Sequence, residues 1–176
     1  MDRFSNRRRR LVCGGAVLLL LSAACSSLGP PPMEPLSEGG LEAAERRWEA
    51  HGADSYHVVV RVRASLANPA VYDVVVEGRK VASIERDGEA LPPGDPGDYS
   101  VSGLFHLLRE NLPLAEGRRA ENTLPIDLRV RFEKETGRLV QYRRTVGTSP
   151  RRYLFVEVLE YEPLAGRELH GSARDD

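Results

Sequence analysis

Cysteine is scarce in this chain, since Cys13 and Cys25 are the only two among 176 residues. Both lie within the first 25 residues, so the rest of the chain has no possible internal disulfide, no thiol nucleophile and no cysteine metal ligand. The 152 residues that follow Ala24 are enough for one domain with a single core. That core has to hold the domain together without a covalent crosslink.

The sequence also lacks an apolar run long enough to cross a membrane. The most apolar stretch, Leu11 to Ala24, has 14 residues, whereas a membrane-spanning helix needs roughly 20. Five arginines precede this stretch, and three small residues, Ser22 to Ala24, end it just before Cys25. A basic start, a short apolar core and small residues before a cysteine predict a bacterial lipoprotein signal peptide over residues 1–24.

The predicted signal peptide assigns a modification to Cys25. Cleavage between Ala24 and Cys25 would leave Cys25 as a lipidated N-terminus, and two or more acyl chains such as palmitate hold a protein firmly on a bilayer. Ser26 follows, where an aspartate would act as an inner-membrane retention signal. For a Gram-negative source we therefore expect the periplasmic face of the outer membrane. An ordinary signal peptide and a transmembrane anchor are the alternatives.

Lysine is nearly absent, and the basic residues are 23 arginines and two lysines. The whole chain has a formal charge of −1, but residues 1–24 hold five arginines and one aspartate, which leaves 20 basic and 25 acidic side chains and a charge of −5. A net acidic domain argues against nucleic acid as a partner. The arginine excess is typical of a GC-rich genome; selection for bidentate anion binding is the alternative.

Composition and periodicity predict a tether, two helices and six strands. Residues 25–36 include Gly29 to Pro32 and are expected to form a flexible lipid-anchored tether. The spacing of Leu41, Ala44 and Trp48 predicts a helix from Gly40 to His51 with Trp48 in the core, and Ser102 is expected to cap a second helix through Asn111. The predicted strands are Ser55 to Ser65, Val71 to Glu77, Arg79 to Arg86, Pro125 to Glu133, Leu139 to Val146 and Arg152 to Tyr161.

These elements predict an α+β domain over residues 37–162. Strands joined by short turns have to be antiparallel, and an apolar face that alternates with a polar one favours helices on one side only. We therefore expect a curved antiparallel sheet of about six strands with two helices on one face, in the order α-βββ-α-βββ. Residues 163–176 are polar and are predicted to be a disordered tail.

No pattern typical of catalysis stands out in the sequence. His51, Asp54 and His57 lie close together, but they fall on a helix end, a turn and a strand start. The acidic loop over residues 87–98 lacks the alternating aspartates of a calcium site. Neither a Ser–His–Asp spacing nor a glycine-rich phosphate loop is present. The sequence therefore predicts a protein that is not an enzyme and that uses no cofactor or metal.

The polar face of the predicted sheet is the better candidate for function. Its arginines should project away from the helices, and a guanidinium group can donate two parallel hydrogen bonds to a carboxylate. This predicts a membrane-anchored module that docks an acidic envelope protein. The alternatives are a solvated face with cross-strand ion pairs, and a small-ligand or peptide site in the cleft between sheet and helices. The candidate partner-binding residues are Arg61, Arg63, Arg129, Arg131 and Arg143.

Several motifs follow one another between residues 45 and 162. Trp48 lies in the first predicted helix and Tyr56 in the first strand, and Val74 to Val81 forms a V-x-V-x-x-G-x-V-like hairpin. Leu104-Phe105 comes next, and Phe132 to Gly137 matches a turn of the type F/Y-D/E-x-x-x-G. This order resembles an uncharacterised bacterial family of secreted and lipoprotein domains. The resemblance implies an envelope location and the fold order above, and it assigns no catalytic residue.

Overall fold

The structure is a computed structural model that describes residues 31–65, 67–92, 98–115, 124–148 and 152–164. The predicted signal peptide and Cys25 lie outside these ranges. The elements in chain order are β1 (Glu34–Pro35), α1 (Glu38–His51), β2 (Tyr56–Ala64), β3 (Ala70–Glu77), β4 (Lys80–Arg86), β5 (Glu89–Ala90), α2 (Val101–Ala115), β6 (Ile126–Phe132), β7 (Leu139–Val146) and β8 (Tyr153–Pro163).

The strands form one antiparallel sheet in the order β1-β6-β7-β8-β2-β3-β4-β5. The last strand, β8, therefore lies in the interior of the sheet, between β7 and β2. In the register, Val156 of β8 is opposite Tyr142 of β7 and Val62 of β2. The pairing of β8 with β2 joins the two halves of the chain into one sheet.

Both helices pack on the same side of this sheet, because they share one buried core with alternate strand residues. The alternation predicted for β2 is confirmed, since Tyr56, Val58 and Val60 are buried and the residues between them are not. The other buried strand residues of this core are Val74, Val76, Leu128, Val130, Leu139, Tyr142 and Val156, and the helices add Leu41, Ala44, Trp48, Val101, Leu104, Phe105 and Leu108.

Helix α1 begins two residues before its predicted start and ends where it was predicted to end. Ser37 is the N-cap, and its hydroxyl oxygen accepts a hydrogen bond from the Gly40 N–H at 3.3 Å. Gly52 ends the helix by donating its N–H to the Trp48 carbonyl. The expected core position of Trp48 is confirmed: its side chain is buried and meets the Tyr56 ring edge-on at a centroid distance of 5.5 Å.

Helix α2 has different ends from those predicted. Ser100, not Ser102, is its cap, because the Ser100 hydroxyl accepts the Gly103 N–H at 3.0 Å. The helix also runs past Asn111 to Ala115, with Pro113 in its last turn. Asn111 does not stop the helix, since its amide donates back to the Leu107 carbonyl at 2.7 Å and its side-chain oxygen accepts from Arg144.

The α+β class with two helices and an antiparallel sheet is confirmed, but the predicted strand number and order are wrong. The sheet has eight strands rather than about six, and their order is β-α-ββββ-α-βββ rather than α-βββ-α-βββ. The additional strands, β1 and β5, have two residues each. Two residues are too few to show alternation, and β5 lies in a segment that was predicted to be a loop.

The described domain extends beyond both predicted boundaries, residues 37 and 162. Glu34 and Pro35 lie in the predicted tether, but they pair with Val130 and Arg129 because the edge of β6 offers free backbone groups. Leu36 is part of the core. At the other end, Pro163 is opposite Tyr56 in the sheet, and the Leu164 N–H donates to the Ser55 carbonyl at 2.9 Å. The rest of the predicted tail, residues 165–176, lies outside the described residues.

Neither helix in the described ranges has both the length and the apolar character needed to span a membrane.

Candidate functional site

The five predicted partner-binding arginines all lie on the side of the sheet away from the core, which we call the open face. They alternate with buried residues: Arg61 follows Val60, Arg129 follows Leu128, and Arg143 follows Tyr142. Arg143 is exposed and the other four are partly buried. Three strands supply them, namely β2 (Arg61 and Arg63), β6 (Arg129 and Arg131) and β7 (Arg143).

Glu157 of β8 is the centre of one half of this group. In the register it is directly opposite Arg61 of β2 and Gln141 of β7. Arg61 donates to one carboxylate oxygen at 2.8 Å, with Arg63 3.8 Å from the same atom, and Gln141 donates to the other oxygen at 2.9 Å. Burial alone would raise the pKa of Glu157, but these hydrogen bonds and the two arginine charges outweigh it and lower the pKa. Glu157 is therefore ionised at neutral pH.

Asp127 is the carboxylate of the other half. Arg129 and Arg143 are directly opposite each other on β6 and β7. The Asp127 carboxylate accepts a hydrogen bond from Arg129 at 3.0 Å and lies 3.6 Å from the Arg143 guanidinium. Like charges placed opposite each other destabilise a sheet. One carboxylate is shared between two cations here, so neither guanidinium group has a carboxylate of its own among the described residues.

An aromatic ring lies between the two halves. Phe155 of β8 is opposite Arg143 on one side and Arg63 on the other. The Arg63 guanidinium stands over the Phe155 ring at 4.7 Å from its centroid, a cation–π contact. Arg131 differs from the other four, because its guanidinium donates to the Pro31 carbonyl at 3.1 Å and pairs with no carboxylate of the described residues.

The open face has two regions of opposite charge. The first, which we call the arginine cluster, contains the five arginines with Asp127 and Glu157 and has a net charge of +3. Farther along β8, β2, β3 and β4 the same face is acidic: Val59 is flanked by Glu160 and Asp73, and Asp73 is opposite Glu85. His57 lies 2.7 Å from Asp73 in this acidic region. A partner that follows this charge pattern would place its own acidic side on the arginine cluster.

The described residues of the two groups that the sequence suggested as weak metal-site candidates, one around Asp54 and one in the acidic loop over residues 87–98, do not form a metal site. Asp54 accepts a hydrogen bond from Arg79, and His57 is paired with Asp73. In the acidic loop, Asp87 accepts the Val71 N–H at 2.8 Å, Asp98 accepts the Ser100 N–H at 2.8 Å, and Asp95 lies outside the described residues. Among the described residues, no three His, Cys, Asp or Glu side chains are placed to hold a metal ion.

A cleft of about 320 Å³ lies on the core side, between α2 and strands β2 and β8. Val62, Leu154 and Val156 form its floor, and Leu104 and Leu107 of α2 are in its wall. Its polar lining residues are Asp98, Tyr99, Ser102, His106 and Glu110. The volume is within the range of small-molecule sites, roughly 300–1,000 Å³.

Gln141 and Phe155 are open-face residues that the sequence analysis missed. A β-bulge between β6 and β7 sets Leu139 opposite Phe132 and Gln141 opposite Arg131, which leaves Val140 as an extra residue. The extra residue reverses the alternation along β7 and brings Gln141 to the open face. Two adjacent apolar residues, Leu139 and Val140, were the only signal of this bulge in the sequence.

Comparison with protein-family models found no match, and no curated protein is similar enough to this chain to count as a relative.

Proposed function

We propose that this protein is a lipid-anchored envelope lipoprotein whose domain is a non-catalytic protein-interaction module. The arginine cluster docks an acidic protein partner in this proposal. The observation on which it depends is the arrangement of four arginines around only two carboxylates, with Arg131 as a fifth arginine nearby, on a sheet face that neither described helix covers. The signal pattern before Cys25 and the resemblance to secreted and lipoprotein domains support the envelope location.

The geometry favours an acidic partner for a physical reason. Arg129 and Arg143 repel each other across the strand pair and share one carboxylate, so a second carboxylate from a partner would relieve the repulsion. Charge-assisted hydrogen bonds from arginine are about twice as strong as neutral ones. Phe155 supplies an apolar contact beside them, and aromatic and arginine residues are typical of interface centres.

In-cell crosslinking of tagged full-length protein, followed by mass spectrometry of the membrane fraction, tests this proposal. We expect one dominant envelope protein. The double substitution Arg129→Gln with Arg143→Gln should reduce its yield at least about tenfold, because two charge-assisted hydrogen bonds are lost. The matched control is Arg46→Gln with Arg86→Gln, two exposed arginines outside the cluster. Equal crosslinking in both double variants, or no partner at all, would contradict the proposal, as would turnover that a point mutation abolishes.

The cleft beside α2 supports a second candidate function, a small-ligand or peptide site. A compound that binds the folded state raises the melting temperature in proportion to the logarithm of its concentration. If the cleft is the site, Leu107→Trp should abolish the shift, because the larger ring would fill the space between α2 and the Leu154 floor. Stabilisation that persists in this variant would argue against the cleft.

A further inference from the structure

We propose that a second cavity, at the point where the chain enters the domain, binds a phosphate-type anion. This root cavity has a volume of about 330 Å³ and lies between the start of the described chain, helix α1 and the end of β6. It differs from the arginine cluster in position and composition, and only Arg131 belongs to both. Its charged lining residues are Arg47, Arg131, Lys134 and Glu34.

Three cationic residues that form no salt bridge with the described carboxylates line this cavity, and the charge of Arg47 also acts on nearby Glu133, helping to lower its pKa. Within the described residues, no carboxylate lies in salt-bridge range of Arg47, Arg131 or Lys134. Arg131 donates only to the Pro31 carbonyl, and the Nε of Arg47 is buried with no hydrogen-bond partner among the described residues. Glu34 is the single carboxylate of the lining, so the charge is +2. A buried guanidinium donor without a partner is costly, and an anion bound to the rest of this guanidinium group would offset part of that cost by Coulomb attraction.

The turn between β6 and β7, which contains Lys134, packs against helix α1 beside Arg47. Gly137 has a φ of +79°, and its α-carbon packs so closely on α1 that an added Cβ would lie 2.2 Å from the Ala44 carbonyl oxygen. Lys134 is in this turn, and Arg47 is one helical turn from Ala44. The Glu133 carboxylate holds the turn by accepting hydrogen bonds from the Thr136 N–H and hydroxyl at 2.8 and 2.7 Å. The backbone positions of Lys134 and Arg47 are therefore set by the fold.

The first turn of α1 adds a positive potential to the same space. Ser37 and Gly40 line the cavity, and they belong to the start of a 14-residue helix. The helix dipole favours an anion at such a helix start, although the Gly40 N–H already donates to the Ser37 hydroxyl. The helix start only reinforces the attraction, since the three unpaired cations supply most of it. A group with several anionic oxygens, such as a phosphate, can accept hydrogen bonds from all three at once.

The phosphate group that binds in the root cavity can belong either to a soluble phosphate compound or to a phospholipid headgroup. Pro32 lines the cavity and is seven residues after Cys25. Seven residues span at most about 25 Å when fully extended. The headgroup layer is within this reach if Cys25 is lipidated, so the lipid source rests on the proposed function. Binding of a free phosphate does not depend on it.

Titration of the full-length protein with inorganic phosphate, against sodium chloride at equal ionic strength, tests the site by calorimetry. A second arm measures how the protein distributes between nanodiscs of phosphatidylglycerol and of phosphatidylcholine. Lys134→Gln and Arg47→Gln should each weaken binding roughly ten- to a hundredfold, because each removes a charge-assisted hydrogen bond. Matched controls are Lys80→Gln, at the only other lysine, and Arg46→Gln, next to Arg47 on an exposed helix position.

The outcomes separate the sources. Phosphate binding that both cavity variants weaken supports a free phosphate ligand, and a variant-sensitive preference for phosphatidylglycerol alone supports a headgroup. Absence of both effects, or equal effects of cavity and control variants, would overturn the site. Lys134 is exposed, so its substitution stays informative even if the Arg47 variant fails to fold. Intact mass of the protein reports acylation of Cys25 separately, so failure of the anchor and failure of the site are distinguishable.

Discussion

At the scale of single residues, two buried tyrosines differ in whether the hydroxyl group has a hydrogen-bond partner, and this difference decides what each hydroxyl contributes to stability. The Tyr56 hydroxyl accepts the Val101 N–H at 3.0 Å and so ties β2 to the first residue of α2. The Tyr142 hydroxyl is buried with no hydrogen-bond partner among the described residues. Burial raises the pKa of Tyr142 to about 12, although the positive charge of Arg144 acts in the opposite direction.

Replacing tyrosine by phenylalanine should lower the unfolding free energy at position 56 but not at position 142. Tyr56→Phe leaves a buried helix N–H without an acceptor and should cost about 1–3 kcal/mol of unfolding free energy. Tyr142→Phe removes a hydroxyl that has no partner, so the unfolding free energy should stay the same or rise by up to about 1 kcal/mol. Urea unfolding at pH 7 measures both. A loss of stability in Tyr142→Phe as large as that in Tyr56→Phe would contradict this account.

Alkaline pH should separate Tyr142→Phe further from the wild type. The pKa of Tyr142 is about 12 in the folded protein, against an ordinary value of 10.0. Between these values the unfolded chain loses a proton that the folded protein keeps, so the stability due to this group is complete below pH 10 and falls as the pH rises toward 12. Tyr142→Phe lacks this loss. The unfolding free energy of the variant, relative to that of the wild type, should therefore increase as the pH rises from 10 to 12. A difference between the two proteins that does not change with pH would refute the pKa assignment.

At the scale of elements, the turn between β6 and β7 fixes helix α1 to the sheet. Gly137 is close to both the Ala44 backbone and the Arg47 side chain, and its positive φ favours glycine. Gly88, between β4 and β5, also has a positive φ, but an added Cβ there would meet no atom within 4 Å. A comparison of alanine substitutions at the two glycines therefore separates the cost of backbone strain from the cost of disturbing close packing.

Gly137→Ala should destabilise the domain more than Gly88→Ala. Both variants place alanine in a left-handed backbone conformation, which costs roughly 1–2 kcal/mol. Gly137→Ala also forces the turn away from α1, which should add about 1–3 kcal/mol. Melting temperatures of the two variants make the comparison. Equal shifts would show that the turn does not pack tightly on the helix.

The sequence predicted the elements that bury a regular stripe of side chains. The bounds of β7 are those predicted, β3 and β4 differ by one residue at their first end, and β2 and β6 are one residue shorter at both ends. Four of the five arginines were placed correctly on the open face because alternation in β2 and β6 is strict, whereas Arg143 of β7 reaches this face through the bulge at Val140. The grouping of arginines around Glu157 and Asp127 was not predictable, since it depends on register and on the bulge at Val140. The root cavity involves residues far apart in sequence, Arg47 and Lys134, and no local pattern indicated it.

At the scale of the whole molecule, the proposed anchor makes Cys25 the residue that decides location. Cys25→Ala should block lipidation and leave the precursor uncleaved by the lipoprotein peptidase, because the thiol is the acylation site. Cys13→Ala is the matched control, since it changes the only other cysteine and leaves the proposed cleavage position intact. Intact mass and membrane fractionation measure both variants. A normal lipidated product from Cys25→Ala would remove the anchor from the proposal.

The order of strands in the sheet could not be predicted from the sequence. Each hairpin is signalled by its own turn, but no local signal shows that the last strand inserts between β7 and β2. The hydrophobic face common to β2 and β8 fixes this arrangement, because Val60 and Val62 meet Val158 and Val156 only when the strands are adjacent. The pairing of β8 with β2 depends on the complete fold, so no local part of the sequence reveals it.

The interior position of β8 has a consequence for the timing of folding. Its partner β2 precedes it by many residues: the Ser65 N–H donates to the Tyr153 carbonyl across a separation of 88 residues. Contacts this distant in sequence form slowly, and here they cannot form until the ribosome has released the last strand. The sheet therefore cannot close until β8 is available to pair with β2, and folding of the two halves into one domain waits for this last described strand.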